Sequence, residues 1–322
     1  MPDYSCRKTL SMYDKVKIWL LKTKTTPDIV GLLDNATEQI NHGTGDVCVF
    51  GSLDGLKVSI YTGWINIVGS LPKFLNGNNI NDFGRKNTKE AIEKLSDRLG
   101  CNVSSGKITG LEFGRVFSMS QPIENYLSRL GEMPNLLRYR FEAGTLYYKP
   151  RGKQQTKVFI FYDKRAEAKE KGFKLPVGFE DMNLLRYEMR LNGRLPQQLG
   201  VTEVKASTLS EIKFYISLVK RYQESYFAIS RNNRINIRAM EEIKTVSDAL
   251  DMFVARLINK SGKGEITAFL DELRGLNVFD DRKYYYRLKK RLQEIAEKAG
   301  DPEPDQLLQE LDDEINNARA YI

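Results

Sequence analysis

The stretch Leu184-Leu185-Arg186-Tyr187-Glu188-Met189-Arg190-Leu191 alternates apolar and charged side chains with a period of two. Successive side chains of a β-strand point to opposite faces. Leu185, Tyr187, Met189 and Leu191 therefore line one face, and Arg186, Glu188 and Arg190 the other. Two guanidiniums beside a carboxylate keep it ionised, and guanidinium forks match phosphate oxygens. The same pattern also suits a charged ladder on a wet sheet face.

The segments before it read as partners in one sheet. Leu56–Tyr61 and Trp64–Val68 flank a Thr62–Gly63 turn, a hairpin of the kind glycine permits. Ile108–Met119, Gly144–Lys149 and Lys157–Tyr162 are further strands, the last two bracketing the basic turn Pro150–Gln155. Asn87-Thr88-Lys89-Glu90 resembles a capping box, after which Ile92, Leu95 and Leu99 keep helical spacing up to Gly100. Ser120 is a candidate cap for a helix carrying Ile123, Leu127 and Leu130. The expected class is α+β: a mainly antiparallel sheet with flanking helices.

Beyond Val204 only helical patterns remain. Leu209, Ile212, Ile216, Val219, Tyr222 and Tyr226 form one apolar stripe; Ile266, Phe269, Leu270 and Leu273 form another, and Tyr284, Leu288, Leu292 and Ile295 a third. This predicts a domain over 1–203 and a helical region over 204–322, the latter open to DNA recognition, contact with a host helicase or self-association. Seven acids and no base between Asp301 and Glu314 follow a helix rich in Lys and Arg. Such blocks decorate solvated faces, or an acidic tail covers the basic helix until nucleic acid displaces it.

Charge and composition limit the chemistry. The 322 residues carry a net charge of +8 and one histidine, His42. Zinc sites of the two-histidine type and paired-histidine DNA-nicking sites are excluded, so any metal must rest mainly on carboxylates. No apolar run approaches the ~18 residues of a membrane span, so no membrane partner is expected. Cys6, Cys48 and Cys101 are odd in number and widely spaced, and the N-terminus has no apolar signal core, which points to a reducing cytoplasm. Between Arg138 and Lys174 eleven Lys and Arg face four acids, so this stretch holds seven of the eight net charges. Tyr139, Phe141, Tyr147, Tyr148, Phe159, Phe161 and Tyr162 interleave it. Cations that neutralise phosphates and rings that stack on unpaired bases suit a polyanion; a solvated hairpin with core aromatics is the plainer reading. Lys149, Arg151, Lys153 and Lys157, together with Arg186 and Arg190, are the candidate DNA contacts.

Two further segments bear on catalysis. In Ile108-Thr109-Gly110-Leu111-Glu112-Phe113-Gly114-Arg115, Glu112 lies opposite Leu111 and Phe113, between two glycines that leave room for a metal and a bulky substrate; an exposed Glu on an edge strand fits equally. In Lys157-Val158-Phe159-Ile160-Phe161-Tyr162-Asp163-Lys164-Arg165-Ala166-Glu167, Tyr162 ends an apolar strand where the basic segment begins. If the strand continues for two residues, Lys164 shares the face of Tyr162 and favours its phenolate. Tyr284-Tyr285-Tyr286 is a rival, in a helical pattern where its rings can serve as core.

In combination and order, these segments resemble the filamentous-phage gene II/X family of rolling-circle replication initiators, and more distantly plasmid initiators with a Tyr-x-Lys-x-x-Glu motif. The resemblance runs from about Gly69 to Gly200. It takes in Ser70-Leu71-Pro72-Lys73-Phe74-Leu75-Asn76-Gly77-Asn78-Asn79, Phe83-Gly84, the Glu112 strand, Tyr162-Asp163-Lys164-Arg165-Ala166-Glu167, and Leu185-Arg186-Tyr187-Glu188-Met189-Arg190. Asn78 stands where many relatives carry histidine, and Glu112 where they often have aspartate. The resemblance implies a Rep-nuclease-like sheet on which Tyr162, assisted by Lys164, attacks one phosphodiester of origin DNA, single- or double-stranded. The enzyme would join to the 5′-phosphate, free a 3′-hydroxyl for a polymerase and later rejoin the ends. It also makes Glu112, Glu167 and Glu188 candidate ligands for Mg²⁺ or Mn²⁺, hard ions suited to carboxylates. No phosphate-binding Gly-x-x-x-x-Gly-Lys-Ser/Thr loop is present, in keeping with chemistry that needs no nucleotide. A non-catalytic DNA-binding repressor or replication accessory factor of a phage, plasmid or other mobile element is the alternative, and an RNA-binding module a weaker third.

Overall fold

The computed structural model describes residues 13–80, 83–141, 144–152, 155–231, 243–261, 264–298 and 305–317. Ten strands form one antiparallel sheet: β1 (Tyr13–Leu21), β2 (Asp34–Ile40), β3 (Val47–Leu53), β4 (Leu56–Ile60), β5 (Trp64–Ser70), β6 (Lys107–Met119), β7 (Leu137–Phe141), β8 (Thr145–Lys149), β9 (Lys157–Asp163) and β10 (Asn183–Asn192). Their order is β2-β3-β4-β5-β1-β6-β10-β9-β8-β7, which bears out the α+β expectation. Strands β1, β2, β3 and β7 add to those expected from the sequence. The last strand, β10, lies between β6 and β9, and pairs with both.

The short helices are set by their ends. In α1 (Leu71–Asn76) the Ser70 hydroxyl accepts from the Lys73 amide and Gly77 closes the helix at φ 77°, a conformation that glycine adopts without a Cβ penalty. Helix α2 (Arg85–Leu99) begins earlier than expected: Gly84 is the N-cap, and the Asn87 side chain accepts from the Gly84 amide. Asn87 to Glu90 thus lie inside the helix, with Asn87 closing the capping box from the N3 position and not serving as the N-cap. Gly100 ends it as expected. For α3 (Ile123–Leu127) the N-cap is Pro122, not Ser120; the Ser120 amide and hydroxyl bind the Glu310 carboxylate at 2.8 and 2.7 Å. Helices α4 (Lys164–Glu170) and α5 (Leu195–Leu199) follow β9 and β10.

One sheet face carries the core. Tyr187 of β10 stacks on Phe161 of β9 with ring centroids 4.2 Å apart, and on Tyr222 of α6 (Ile212–Phe227) at 4.2 Å. Tyr187 and Tyr222 also exchange hydroxyl-to-carbonyl bonds of 3.2 Å. Phe113 of β6 packs edge-on against Tyr13, Tyr215 and Tyr222. Each such ring contributes about 1.5–3 kcal/mol through burial. The buried stripe of α6 is Phe214, Tyr215, Leu218, Val219, Tyr222 and Tyr226, whereas Ile212 and Ile216, which the spacing placed with them, face solvent.

This packing moves the division of the chain. Contacts separate Met1–Arg231 with Glu310–Ile322 from Asn232–Gln309, so α6 belongs to the sheet and not to a helical region starting at 204. Glu310 accepts from Ser120 and Tyr126, and Asp312 accepts from Tyr226 at 2.6 Å and Arg231 at 2.8 Å, all within the first unit. The second unit holds helices Val246–Ser261, Gly264–Gly275 and Arg282–Lys298, packed through Ile258, Ile266 and Leu270 with Val254, Leu288 and Leu292 around them. Among the described residues no helix is long and apolar enough to cross a membrane.

Candidate active site

The face of β10 opposite the core carries Arg186, Glu188 and Arg190, as the alternation requires. Register places Arg186 beside Tyr162 of β9, Arg190 beside Glu112 of β6, and Glu188 beside Gly114. The expected strand faces hold, but the ladder is not wet: Arg186 is 0% exposed and Glu188 2%. The room beside Glu112 is already used. A Cβ on Gly114 would lie 3.0 Å from Glu188 Cγ and 2.5 Å from the Tyr187 carbonyl oxygen, and one on Gly110 would lie 2.8 Å from Lys17 Cδ. The glycines make space for Glu188 and Lys17, which corrects the expectation of an open pocket there.

Buried charges survive only when paired, and these are. Arg186 donates through Nη2 to Asp14 Oδ2 at 2.5 Å, through Nε to Glu188 Oε1 at 2.6 Å, and through Nη1 to the Asn79 carbonyl at 3.1 Å. Glu188 Oε1 also accepts from the Tyr162 hydroxyl at 2.8 Å, while Oε2 accepts from Arg190 Nη2 at 2.6 Å and Nε at 3.0 Å. Arg190 Nε lies 3.5 Å from Glu112 Oε1. Asp14 is held further by the Ser70 hydroxyl at 2.5 Å and the Asn79 amide at 2.8 Å. Burial alone would raise the Glu188 carboxyl, but Arg186 and Arg190 outweigh it and hold it at about 2. Glu112 is pushed above the usual carboxylate range by burial, against the pull of Arg190.

Tyr162 sits in the opposite situation from the one expected. It is 8% exposed, and burial drives its hydroxyl well above 10, with Arg186 opposing and Glu188 and Glu167 reinforcing. The strand ends at Asp163, which caps α4 (Lys164–Glu170) through the Arg165 and Ala166 amides. Lys164 thus opens that helix instead of continuing the strand: its buried Nζ bonds Glu167 at 2.6 Å and lies over the Tyr162 ring, 6.0 Å from the ring centre.

The other candidates divide clearly. Glu167 is paired with both Lys164 and Lys171 and does not join Glu112 and Glu188. Arg186 is sealed from solvent and is not a DNA contact, whereas the Arg190 side chain is 35% exposed. Lys157 alternates onto the core face, its Nζ 4.9 Å from the Phe159 ring centre, on the opposite side of the sheet from Arg190. Lys149 lies over the Tyr139 ring and Arg151 is exposed; Lys153 lies outside the described residues. Tyr285 of the rival triplet is core of the second unit, donating to the Leu273 carbonyl.

Asp14 and Asn79 are site residues that the motif reading did not single out. Asn79 ends the Ser70–Asn79 segment and ties α1 to the site, while Asn78 turns back on its own loop through Asn76 and Ile80. Asp14 precedes a plain alternation of Val16, Ile18 and Leu20, but a register irregularity between Tyr13 and Val16 hides which face it takes.

A scan of protein families matches residues 12–224 to Phage_CRI, described as replication-associated protein G2P N-terminal. The chain belongs to this family. Membership implies a phage replication initiator protein and, with it, DNA as the working partner. The match is longer than the Gly69–Gly200 stretch of the resemblance: it includes β1 with Asp14, every other strand, and most of α6. A search of curated proteins finds no significant match.

The site was tested for the divalent ion that the resemblance implies. Carboxylate oxygens are the right donors in kind, and Asp14, Glu112 and Glu188 outnumber Arg186 and Arg190. Among the described residues, however, no group of three or more His, Cys, Asp or Glu side chains is arranged to hold a metal. Both oxygens of Glu188 are engaged by Tyr162 and the arginines; Glu112, with its longer contact to Arg190, is the least committed.

Proposed function

We propose that the chain is a strand-specific DNA nicking and joining enzyme that starts rolling-circle replication, with Tyr162 as nucleophile. The observation that carries this reading is the hydrogen-bonded chain from Tyr162 through Glu188 to Arg190, of which only the far end has substantial access to solvent. A phosphodiester entering at Arg190 competes with Glu188 for the guanidinium. As that contact weakens, the Glu188 carboxyl rises from its depressed value and becomes a better acceptor for the phenol proton at Oε1.

The Tyr162 oxygen then attacks phosphorus, and the bond from phosphorus to the 3′ oxygen breaks. The leaving oxygen takes up a proton to become a free 3′-hydroxyl, and the 5′-phosphate remains on Tyr162. Attack by a 3′-hydroxyl on this phosphotyrosine reverses the step and joins the ends. The ester retains the energy of the original bond, so no nucleotide is consumed. Mg²⁺ or Mn²⁺ is the proposed cofactor; Glu112, the carboxylate least committed to the arginines, would be its protein ligand, and an ion held there would neutralise charge on the phosphate under attack.

A non-catalytic origin-binding protein is the second reading, favoured by the burial of Tyr162 and its raised hydroxyl. Incubation with single-stranded origin DNA and Mg²⁺ or Mn²⁺ decides between them. A covalent adduct lost in Tyr162→Phe supports the enzyme; an adduct that survives sinks Tyr162 as nucleophile. A footprint without any adduct on the cognate origin leaves the binding protein.

A further inference from the structure

Far from Tyr162, but on the same sheet face, four aromatic rings form a row at the surface. Tyr61 stacks on Trp64 with centroids 4.8 Å apart and planes 19° from parallel. Trp64 stacks on Trp19 at 6.5 Å and 30°, and Phe50 meets Tyr61 edge-on at 6.3 Å. Register places them together: Phe50 pairs with Ser59, Ser59 with Asn66, Asn66 with Trp19, and Trp19 with Lys107. Lys17, two residues before Trp19, packs over Gly110 of β6, the strand that carries Glu112. The row therefore shares its face with Glu112, Glu188 and Tyr162.

These rings are not core. Trp64 is 39% exposed, and Trp19, Phe50 and Tyr61 are half-buried. Cations surround them: Lys107 Nζ lies 6.0 Å from the Trp19 ring centre, Lys22 Nζ reaches the Tyr61 carbonyl at 3.5 Å, and exposed Lys57 pairs with Val68 on the same face. Glu203, paired with Lys107 and Lys205, and Asp46, 3.5 Å from the Thr62 hydroxyl, are acids at its margin. Flat faces for bases beside cations for phosphates are what unpaired nucleic acid requires. From the Trp19 row to the Tyr162 row is nine residues along β6, Lys107 to Val116, or about 30 Å at ~3.3 Å per residue.

We propose that Trp19, Trp64, Tyr61 and Phe50 form a stacking surface for the unpaired bases of a single DNA strand whose remote end reaches the Tyr162 site. The inference rests on the proposed function in taking DNA as substrate, but not on Tyr162 being the nucleophile.

Both tryptophans of the chain are in this row, so tryptophan emission reads it directly. The full chain is titrated without divalent metal, so that binding is seen and cleavage is not, using an oligodeoxythymidylate of about a dozen residues. Saturable quenching that weakens with salt is expected, unchanged in Tyr162→Phe, with a duplex of equal length quenching far less. Trp64→Ala should weaken the affinity measured by anisotropy about tenfold, while Trp64→Phe, which keeps a ring, retains most of it. Absence of quenching in the wild-type chain, equal quenching by duplex, or undiminished affinity in a folded Trp64→Ala would each overturn the proposal. Quenching that persists while no origin is nicked would overturn the enzyme reading and leave the stacking surface standing.

Discussion

The Tyr162 hydroxyl donates a 2.8 Å hydrogen bond to the Glu188 carboxylate, and both groups are almost wholly buried. Glu188 also accepts from Arg186 and Arg190, so the phenol leans on an acid held ionised by two guanidiniums. A carboxylate at about 2 orients the hydroxyl without taking its proton. On the proposed mechanism, activation comes from whatever changes the partners of Glu188, and Arg190 is the partner with access to solvent.

Tyr162→Phe should abolish the covalent adduct and cost only about 1 kcal/mol of stability, because Glu188 keeps both arginines. Denaturing-gel detection of the adduct and urea unfolding of the same protein check the two halves. A loss of several kcal/mol would mean that the hydroxyl is structural.

The two arginines should separate cleanly. Arg186→Leu leaves Asp14 and Glu188 buried without their shared cation and should destabilise by about 3–5 kcal/mol. Arg190→Ala keeps that pairing intact; it should weaken nicking and phosphate-dependent DNA binding strongly while costing about 1–2 kcal/mol. Thermal unfolding beside a nicking assay distinguishes the two.

Acid should destabilise the fold through Glu188. Its folded value is depressed to about 2 from an ordinary 4.5, so its contribution is complete above about pH 5 and is lost as pH falls toward 2. The expected size is roughly 3 kcal/mol. Glu167, also depressed by Lys164 and Lys171 against the upward push of burial, adds in the same direction. Glu112, raised by burial, acts oppositely and favours the folded chain as pH falls. Urea midpoints against pH should therefore fall steeply in the wild-type chain and much less in Glu188→Gln.

Gly114→Ala tests the fit of β6 against β10. The new Cβ would press on the Tyr187 carbonyl and on Glu188, backbone included, so the strands must shift, at a cost of about 1–3 kcal/mol. Nicking should fall as Glu188 moves from Tyr162. Gly63→Ala, where nothing lies within 4 Å and φ is not positive, is the control expected to leave both unchanged.

Much of the site was legible because strand periodicity is local. Alternation alone puts Arg186, Glu188 and Arg190 on one face and Glu112 opposite Leu111, and those assignments hold. Lys164 was misplaced by a single local event: Asp163 caps a helix where the strand was expected to continue. Helix α6 was assigned to the wrong part of the chain because an apolar stripe says that a helix packs without saying on what.

The amino-acid sequence by itself determined six of the ten strands of the sheet, the two faces of β10, the positive stretch that holds Tyr162, and a chemistry without paired histidines. Tertiary structure alone decided that Asp14 reaches Arg186 across 172 positions of chain, that Asn79 closes over both, and that Tyr162 is buried with its proton held. Periodicity is set by bonds between neighbouring residues, so it can be read along the chain. Burial and ion pairing depend on which distant segments arrive at the same place, and only the folded sheet brings them there.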